Sequence, residues 1–281
     1  MEAIDLQLVR EALLAALRED VGSGDITSRA TVPQTARGVA RYVAKQPLVV
    51  AGLDVVRVLV ELVDRELEYR PLASDGDPLK AGAPLAEMRG SARSILVAER
   101  TSLNLLQRMC GIATLTREYV DRVKGTRARV IDTRKTAPGL RLFDKYAVTC
   151  GGGMNHRVGL FDGVLIKNNH LAFHKSIGGA IRQARERLGH LVKIEVEIHH
   201  LEELEEAIAA GADILLLDNF NPEQTRQAVA ATAGRVPLES SGGITLETIR
   251  CFAEAGVDYI SVGALTHSAP AADIHLRVTP E

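Results

Sequence analysis

Residues 192–220, VKIEVEIHHLEELEEAIAAGADILLLDNF, decide the fold because two short apolar runs flank a helical segment that begins with an acidic stretch. The runs at 192–196 and 214–217 contain the aliphatic and β-branched residues that strands prefer. A strand, a helix and a second strand in this order form a βαβ unit, in which the two strands lie parallel. This stretch therefore predicts an α/β fold.

The same alternation is repeated through the second half of the chain. Six apolar runs follow Gly125 at intervals of roughly 20 to 35 residues, and each precedes a helical segment. Because no Gly-rich dinucleotide turn interrupts them, these units predict a (β/α) barrel, incomplete since it lacks eight strands, rather than an open doubly wound sheet. The predicted strands are 129–131, 164–166, 192–196, 214–217, 236–238 and 259–262.

The first part of the chain has a different pattern. Short strand-like runs between Gly and Pro turns predict a small, mostly antiparallel sheet, with helices at 53–63 and 94–109. An amphipathic helix precedes them, with Leu6, Val9, Leu13 and Leu17 on one stripe. We expect an α+β domain over 1–110 and the barrel over 111–267, with a tail of about 268–281 that packs back on the first domain.

Composition excludes several classes of function. The 34 basic and 36 acidic side chains give a net charge of −2, so no global field attracts nucleic acid or a membrane surface. Any cationic site must be local. The three cysteines are far apart and form no zinc or disulfide pattern, and no signal peptide or membrane span is evident, so we expect a cytoplasmic protein.

Polar residues follow the predicted strands at their carboxyl ends, where barrel enzymes place their chemistry. A Gly-rich loop, CGGGMNHR at 150–157, adds a histidine and an arginine. The candidates are Thr133, Arg134 and Lys135; His156 and Arg157; Lys167; Glu195 and Glu197; Asp218; Ser241, Gly242 and Gly243; and Gly263 and Ala264.

These candidates make the predicted rim cationic, which favours a small ligand with phosphate or several carboxylates. Glu197 and Asp218 can accept sugar hydroxyls or hold a divalent metal through water. Glu197 is preferred over Glu195 because it lies nearer the strand's end, and one of the two can pair with Lys193. The loop SSGGIT predicts a phosphate site that leads into a helix from Leu246.

Six segments, in order along nearly the whole chain, resemble the quinolinate phosphoribosyltransferase family. The most specific are TRKTAPG at 133–139 and GGGMNHR at 151–157. The resemblance implies transfer of phosphoribosyl from phosphoribosyl pyrophosphate to quinolinate, with Mg²⁺ and loss of CO₂, in NAD biosynthesis. It implies no organic cofactor. The implied fold is an N-terminal α/β sandwich and a seven-stranded α/β barrel, in a homodimer or higher oligomer.

The resemblance also implies a role for each matched residue. Arg134, His156, Arg157 and Lys167 would hold the quinolinate carboxylates, and Arg100 would come from the partner subunit. The implied phosphoribosyl pyrophosphate ligands are Lys135, Glu197, Asp218, Ser241, Gly242, Gly243 and Gly263 with Ala264, and Thr133 lines the pocket. Lys135, Glu197 and Asp218 would be catalytic, while the residues that contact the metal stay unassigned.

Two positions depart from the family pattern, and three other functions stay open. Cys110 stands where the family commonly has serine, and Asn168 where it commonly has a carboxylate. The alternatives are a phosphoribosyltransferase for another ring carboxylate, a lyase or aldolase barrel with Lys167 as Schiff-base nucleophile, and a barrel that binds phosphosugars without catalysis.

Overall fold

The computed structural model describes residues 4–281 and divides them into two compact units that are interleaved along the chain. The first unit contains the residues up to Arg117 together with Thr136–Gly152 and Leu265–Glu281, and the second contains Glu118–Lys135 and Gly153–Ala264. Within residues 4–281, no helix combines the length and the apolar character that crossing a bilayer requires.

The helices and strands have the following bounds. The helices are α1 (Leu6–Val21), α2 (Ile26–Thr31), α3 (Leu53–Val63), α4 (Ala92–Arg122), α5 (Arg141–Cys150), α6 (Asn168–Leu171), α7 (Ile177–Arg187), α8 (Glu203–Ala209), α9 (Pro222–Thr232), α10 (Ile249–Ala255) and α11 (Ala264–His267). The strands are β1 (Arg37–Ala44), β2 (Leu48–Val49), β3 (Glu68–Pro71), β4 (Pro78–Leu79), β5 (Pro84–Ser91), β6 (Arg129–Ile131), β7 (Val164–Ile166), β8 (Ile194–Ile198), β9 (Ile214–Asp218), β10 (Leu238–Ser241), β11 (Tyr259–Ser261) and β12 (Ile274–Pro280).

An antiparallel sheet with strand order β12-β1-β5-β3 is the centre of the first unit, which confirms the predicted small antiparallel sheet. The last strand, β12, lies along β1 from Ile274 opposite Ala44 to Pro280 opposite Gly38. The predicted N-terminal helix is present as α1, where Asp5 caps the first turn and Val9, Leu13 and Leu17 are buried. Helix α4 is longer than predicted at both ends.

The first unit also contains an ion pair with a buried carboxylate. Arg108 on α4 donates two hydrogen bonds, of 2.7 and 2.8 Å, to the two carboxylate oxygens of Asp144 on α5. The Asp144 side chain is fully buried, and Arg108 donates a further hydrogen bond of 3.2 Å to the carbonyl of Thr266. The bidentate geometry compensates the loss of hydration, so this pair joins α4 to α5.

A parallel six-stranded sheet with strand order β6-β11-β10-β9-β8-β7 is the centre of the second unit. This confirms the α/β class and the parallel arrangement predicted from the repeated βαβ pattern. The first and second predicted strands have the predicted bounds. Next to the free edge of β6, Met154 forms a parallel bridge with Ile131.

Two strands lie further along the chain than predicted. β8 ends at Ile198, and β10 begins after Pro237, whose missing N–H cannot join the strand ladder. The polar residues Glu239, Ser240 and Ser241 are therefore strand residues rather than loop residues, and the first two are buried. The predicted helix start at Leu246 is also wrong, since α10 begins at Ile249 after a turn.

Candidate active site

A cavity of about 320 Å³ lies at the carboxyl ends of the parallel strands in the second unit. Most of the predicted site residues line it, although they come from six separate segments. They are Thr133, Arg134, Lys135, His156, Arg157, Lys167, Glu197, Asp218, Ser241, Gly242 and Gly243. Gly263 and Ala264 do not line this cavity, and Arg100 is exposed on α4 in the first unit.

Lys167 and Glu197 form an ion pair on one side of the cavity. Lys167 follows β7 and is 47% exposed at its side chain, whereas Glu197 on the neighbouring strand β8 is 9% exposed. The backbone N–H of Asn168 donates a hydrogen bond of 3.1 Å to the second oxygen of Glu197. The expected pairing with Lys193 is therefore not observed for Glu197, because the adjacent strand offers a closer lysine. Because residue 168 contacts Glu197 through its backbone N–H, this contact does not depend on the side chain at that position.

Two guanidinium groups, Arg134 and Arg157, contribute positive charge to the cavity beside its lysines. Burial, with the positive charge of Arg134, lowers the pKa of Arg157. Arg157 also donates a hydrogen bond of 2.9 Å to the carbonyl of Gly163, which orients its side chain. Because like charges held close together repel each other, a bound dianion would relieve this repulsion and bind well.

The opposite side of the cavity combines a carboxylate with exposed backbone. Asp218 ends β9, with its side chain 27% exposed and one oxygen 3.7 Å from His199 Nδ1. Next to it, Gly242 and Gly243 have φ angles of 102° and 59°. A Cβ at Gly242 would collide with the side chain of Asn219, so this loop requires glycine. Backbone N–H groups in such a loop are suitable for phosphate oxygens.

His156 and Glu239 line the floor of the cavity, and a second buried glutamate, Glu195, lies next to both. His156 Nε2 lies 3.0 Å from Glu195 on β8 and 3.8 Å from Glu239 on β10. His156 Nδ1 accepts a hydrogen bond of 2.7 Å from the backbone N–H of Arg157, so the proton of a neutral ring lies on Nε2. The backbone N–H of His156 donates to Asp132, which is fully buried. These contacts hold the ring in one orientation.

The two glutamates at the floor are further functional candidates. Glu195 pairs with His156 rather than with Lys193, and Glu239 lies in a strand rather than in the loop after it. A signal for both exists in the sequence. Strand side chains alternate, so Glu195 shares a face with Glu197, and Glu239 shares one with Ser241.

The carboxylates of the cavity are suitable ligands for a divalent cation. Mg²⁺ prefers oxygen ligands, commonly one or two carboxylates together with substrate phosphates. Asp218 is partly exposed at the cavity and next to the glycine loop, so its donor chemistry fits such an ion. The oxygens of Glu197 already accept from Lys167 and Asn168.

Comparison with known proteins gives consistent matches along the chain. The family model described as "Quinolinate phosphoribosyl transferase, C-terminal domain" matches residues 112–277, and the corresponding N-terminal domain model matches residues 25–110. A protein from Bacillus subtilis named "Probable nicotinate-nucleotide pyrophosphorylase (carboxylating)" is 46% identical over 261 residues, which cover 93% of this chain and 90% of the relative.

Two further matches extend over almost the full length. The Mycobacterium leprae protein named "Nicotinate-nucleotide pyrophosphorylase (carboxylating)" is 45% identical over 278 residues, which cover 97% of this chain and 98% of the relative. A crystal structure of NadC from Streptococcus pyogenes is 42% identical and has a TM-score of 0.96, with 100% of both chains covered.

Proposed function

Because the chain belongs to the quinolinate phosphoribosyltransferase family, we propose that it transfers phosphoribosyl from phosphoribosyl pyrophosphate to quinolinate. The products are nicotinate mononucleotide, pyrophosphate and CO₂, as in NAD biosynthesis. One observation supports this proposal most strongly. A single cavity combines a dicationic side, Arg134 and Arg157, with a carboxylate and glycine loop, as one dicarboxylate and one phosphosugar require.

The dicarboxylate occupies the cationic side of the cavity in this proposal. Arg134, Arg157 and Lys167 provide the positive charge, and His156 completes the group next to them. Arginine forms two parallel hydrogen bonds with a carboxylate, which fixes the plane of the pyridine ring as well as its position. The Schiff-base alternative is less well supported, because Lys167 is already ion-paired with Glu197.

The phosphosugar occupies the other side. Lys135 and the backbone of Ser241, Gly242 and Gly243 bind phosphate oxygens, while Glu197 and Asp218 bind the ribose hydroxyls. Thr133 completes this side, and Gly263 and Ala264, which lie outside the cavity lining, are proposed as further phosphate contacts. Mg²⁺ would be held by Asp218 and the pyrophosphate, where it supplies positive charge to the leaving group.

The proposed reaction depends on position and charge. The pyridine nitrogen displaces pyrophosphate from the ribose carbon through a transition state with oxocarbenium character. The carboxylates of Glu197 and Asp218 stabilise that positive charge, and the ammonium of Lys135 neutralises the departing pyrophosphate. Since the two substrates are held against each other, the site needs no covalent intermediate with the protein.

We also propose a homodimer in which Arg100 of one subunit reaches the cavity of the other. Arg100 is exposed on α4, which leaves it available to a neighbouring copy. Large apolar side chains are exposed as well, with Phe161 85% and Phe173 90% exposed, and such groups commonly mark contact surfaces. Mixing an Arg100→Ala variant with a Lys135→Ala variant should restore activity if Arg100 acts across subunits. No recovery in the mixed dimers would contradict this.

We further propose a closed sheet and a cytoplasmic location. The parallel sheet closes as an incomplete seven-stranded barrel, with the segment at Met154 as the seventh strand next to Ile131. The protein works in the cytoplasm, consistent with its three cysteines, Cys110, Cys150 and Cys251, being free thiols.

The proposed function is tested directly by product analysis. Protein incubated with quinolinate, phosphoribosyl pyrophosphate and Mg²⁺ should form nicotinate mononucleotide together with one pyrophosphate and one CO₂ per turnover. Nicotinate in place of quinolinate distinguishes a related enzyme for another ring carboxylate. Activity with nicotinate and none with quinolinate would overturn the dicarboxylate assignment.

A further inference from the structure

The two glutamates on the cavity floor have no role in the reaction described so far. Glu195 and Glu239 lie on β8 and β10, the two strands that flank β9, and their side chains are 8% and 3% exposed. One oxygen of each, Oε1, is buried without a hydrogen-bond partner. Ligand atoms of the two carboxyl groups and of His156 lie within 4.8 Å of one another.

Two charged carboxylates this close together and out of water repel each other strongly, and one proton shared by the pair removes the repulsion. Burial, and then the charge of Glu195, raise the pKa of Glu239 well above its usual range. The hydroxyl of Ser261 and the charge of Lys167 act in the opposite direction and are weaker than burial. Tyr259, a further titratable residue, lies opposite Glu239 on the neighbouring strand β11. Burial and the neighbouring carboxylate therefore both favour the protonated form of Glu239.

Glu239 lies between two cavities. It lines the active-site cavity, and it also lines a second cavity of about 220 Å³ in the same unit, which we call the rear cavity. Residues that begin parallel strands line the rear cavity, among them Val164, Ile214 and Tyr259. The rear cavity thus reaches Glu239 from residues at the amino ends of several strands, and His156 and Arg157 line both cavities.

The proposed reaction needs a proton donor at this place. When CO₂ leaves the pyridine ring, the carbon that carried it retains an electron pair and must gain a proton. The other cationic groups of the cavity are less suitable donors. Arginine does not release its proton, Lys167 is bound to Glu197, and the Nε2 proton of His156 points to Glu195. Lys135 is assigned to the pyrophosphate in the proposed reaction.

We propose that Glu239 donates the proton that replaces the lost carboxyl group, and that solvent in the rear cavity restores it. This inference rests on the proposed function. The bond between the ring carbon and the carboxylate breaks, CO₂ departs, and the electron pair stays on the carbon. The O–H bond of Glu239 then breaks as a C–H bond forms. Glu239, now a second carboxylate next to Glu195, takes a proton from water, and hydroxide returns to solvent.

The proton on Glu239 is measured without any turnover. The infrared difference spectrum of wild type minus Glu239→Gln, recorded at neutral pH, should contain a protonated carboxyl band that shifts in D₂O. Absence of the band would overturn the proposal. A divalent metal held at the His156, Glu195 and Glu239 cluster in the purified wild-type protein would also overturn it, because bound metal requires deprotonated carboxylates.

The donor role is tested by kinetics of the same variant. Loss of a general acid predicts a fall in kcat of about 10²- to 10⁴-fold for Glu239→Gln. The dissociation constant for quinolinate, measured without phosphoribosyl pyrophosphate, should stay unchanged, and the solvent deuterium isotope effect on kcat should increase. Glu254→Gln, an exposed glutamate on α10, is the matched control and should behave as wild type. An unchanged kcat in Glu239→Gln would contradict the donor role, whereas an inactive wild type would contradict the proposed function instead.

A second variant separates the donor role from any effect on folding. Ile214→Phe fills part of the rear cavity and alters no residue that lines the active-site cavity. Restricted solvent access should lower kcat and leave quinolinate affinity unchanged. A folded Ile214→Phe variant with wild-type kcat and wild-type solvent isotope effect would overturn the rear-cavity route.

Discussion

Each of the two units contains a buried cluster of charged groups, and the two clusters differ in how their hydrogen bonds are satisfied. In the first unit, both oxygens of Asp144 accept hydrogen bonds from Arg108. In the second unit, Glu195 and Glu239 each retain a buried oxygen without a partner next to His156. The first cluster holds helices together, and the second lies on the floor of a ligand cavity.

The difference shows how buried charge can be interpreted in a structure of this kind. A buried charge whose hydrogen bonds are complete stabilises one arrangement of the chain. A buried acid with incomplete hydrogen bonds costs folding free energy, and such groups are concentrated at functional sites because they have altered acidity. Substitutions in the two clusters should therefore affect different properties.

The largest expected effect is on stability, in the first unit. Asp144→Ala leaves the partly buried Arg108, which is 29% exposed, without its carboxylate partner, and this should lower the free energy of unfolding by about 3 kcal/mol, the low end of the range for buried pairs. Denaturant unfolding of the whole chain measures this loss. A double variant, Arg108→Met with Asp144→Leu, removes both charges and should recover most of the stability. A single variant as stable as wild type would contradict the structural role of this pair.

A comparable free energy should be lost from catalysis, but not from stability, when Lys135 is replaced. Lys135 is exposed and lines the active-site cavity. Lys135→Ala removes one charge that stabilises the leaving group, so kcat should fall about 10²- to 10³-fold. The unfolding midpoint should not change. Lys124→Ala, at a lysine 73% exposed in the same unit, is the matched control. Near wild-type turnover in Lys135→Ala would exclude this role.

The pH dependence of stability distinguishes the floor acid from an ordinary glutamate. A raised pKa in the folded state favours folding at low pH, where the group is protonated in both states. That contribution is lost as the pH rises above about 4.3, the ordinary glutamate value, towards the pKa of the folded protein. Glutamine does not titrate. The stability of Glu239→Gln relative to wild type should therefore increase with pH, by at most about 1.4 kcal/mol per pH unit.

Denaturant unfolding at a series of pH values measures this difference. Equal pH dependence in Glu239→Gln and wild type would show that Glu239 has an ordinary acidity in the folded protein. The Glu254→Gln control should follow wild type at each pH.

The smallest effect is expected at the surface. Arg250 donates a hydrogen bond of 2.7 Å to Glu254 one helical turn away, and the two side chains are 44% and 57% exposed. Water already solvates both charges, so Glu254→Gln should change the free energy of unfolding by no more than about 0.5 kcal/mol. A loss as large as that of Asp144→Ala would show that exposure does not separate the two kinds of charge.

Much of the fold follows from local pattern. The repeated strand and helix segments predicted the parallel sheet, and β6 and β7 have the predicted bounds. The errors at β8 and β10 have one cause. Polar residues at a strand's end resemble loop residues, and only pairing with a neighbour shows that they belong to the ladder. Glu239, for example, lies opposite Tyr259 in β11 and Leu216 in β9.

The sequence predicted which residues line the site better than it predicted which of them contact each other. Eleven of the predicted residues line one cavity. Their partners were not predictable, because Glu197 meets Lys167 and Glu195 meets His156 across segments that are distant along the chain. The charges of Arg134 and Arg157 were enough to predict a positively charged pocket. That Arg134 lowers the pKa of Arg157 could be known only from the distance between them in the folded protein.

The sequence by itself determined the order of strands and helices, the α/β class and the residue types at the strand ends. Alternation along β8 also placed Glu195 and Glu197 on one face. Only the tertiary structure decided that β9 alone separates β8 from β10. It also decided that His156, from a separate loop, lies next to both Glu195 and Glu239. The physical reason is that alternation is local, while strand order and register depend on pairing between distant segments. Whether a glutamate holds a charge or a proton depends on that pairing.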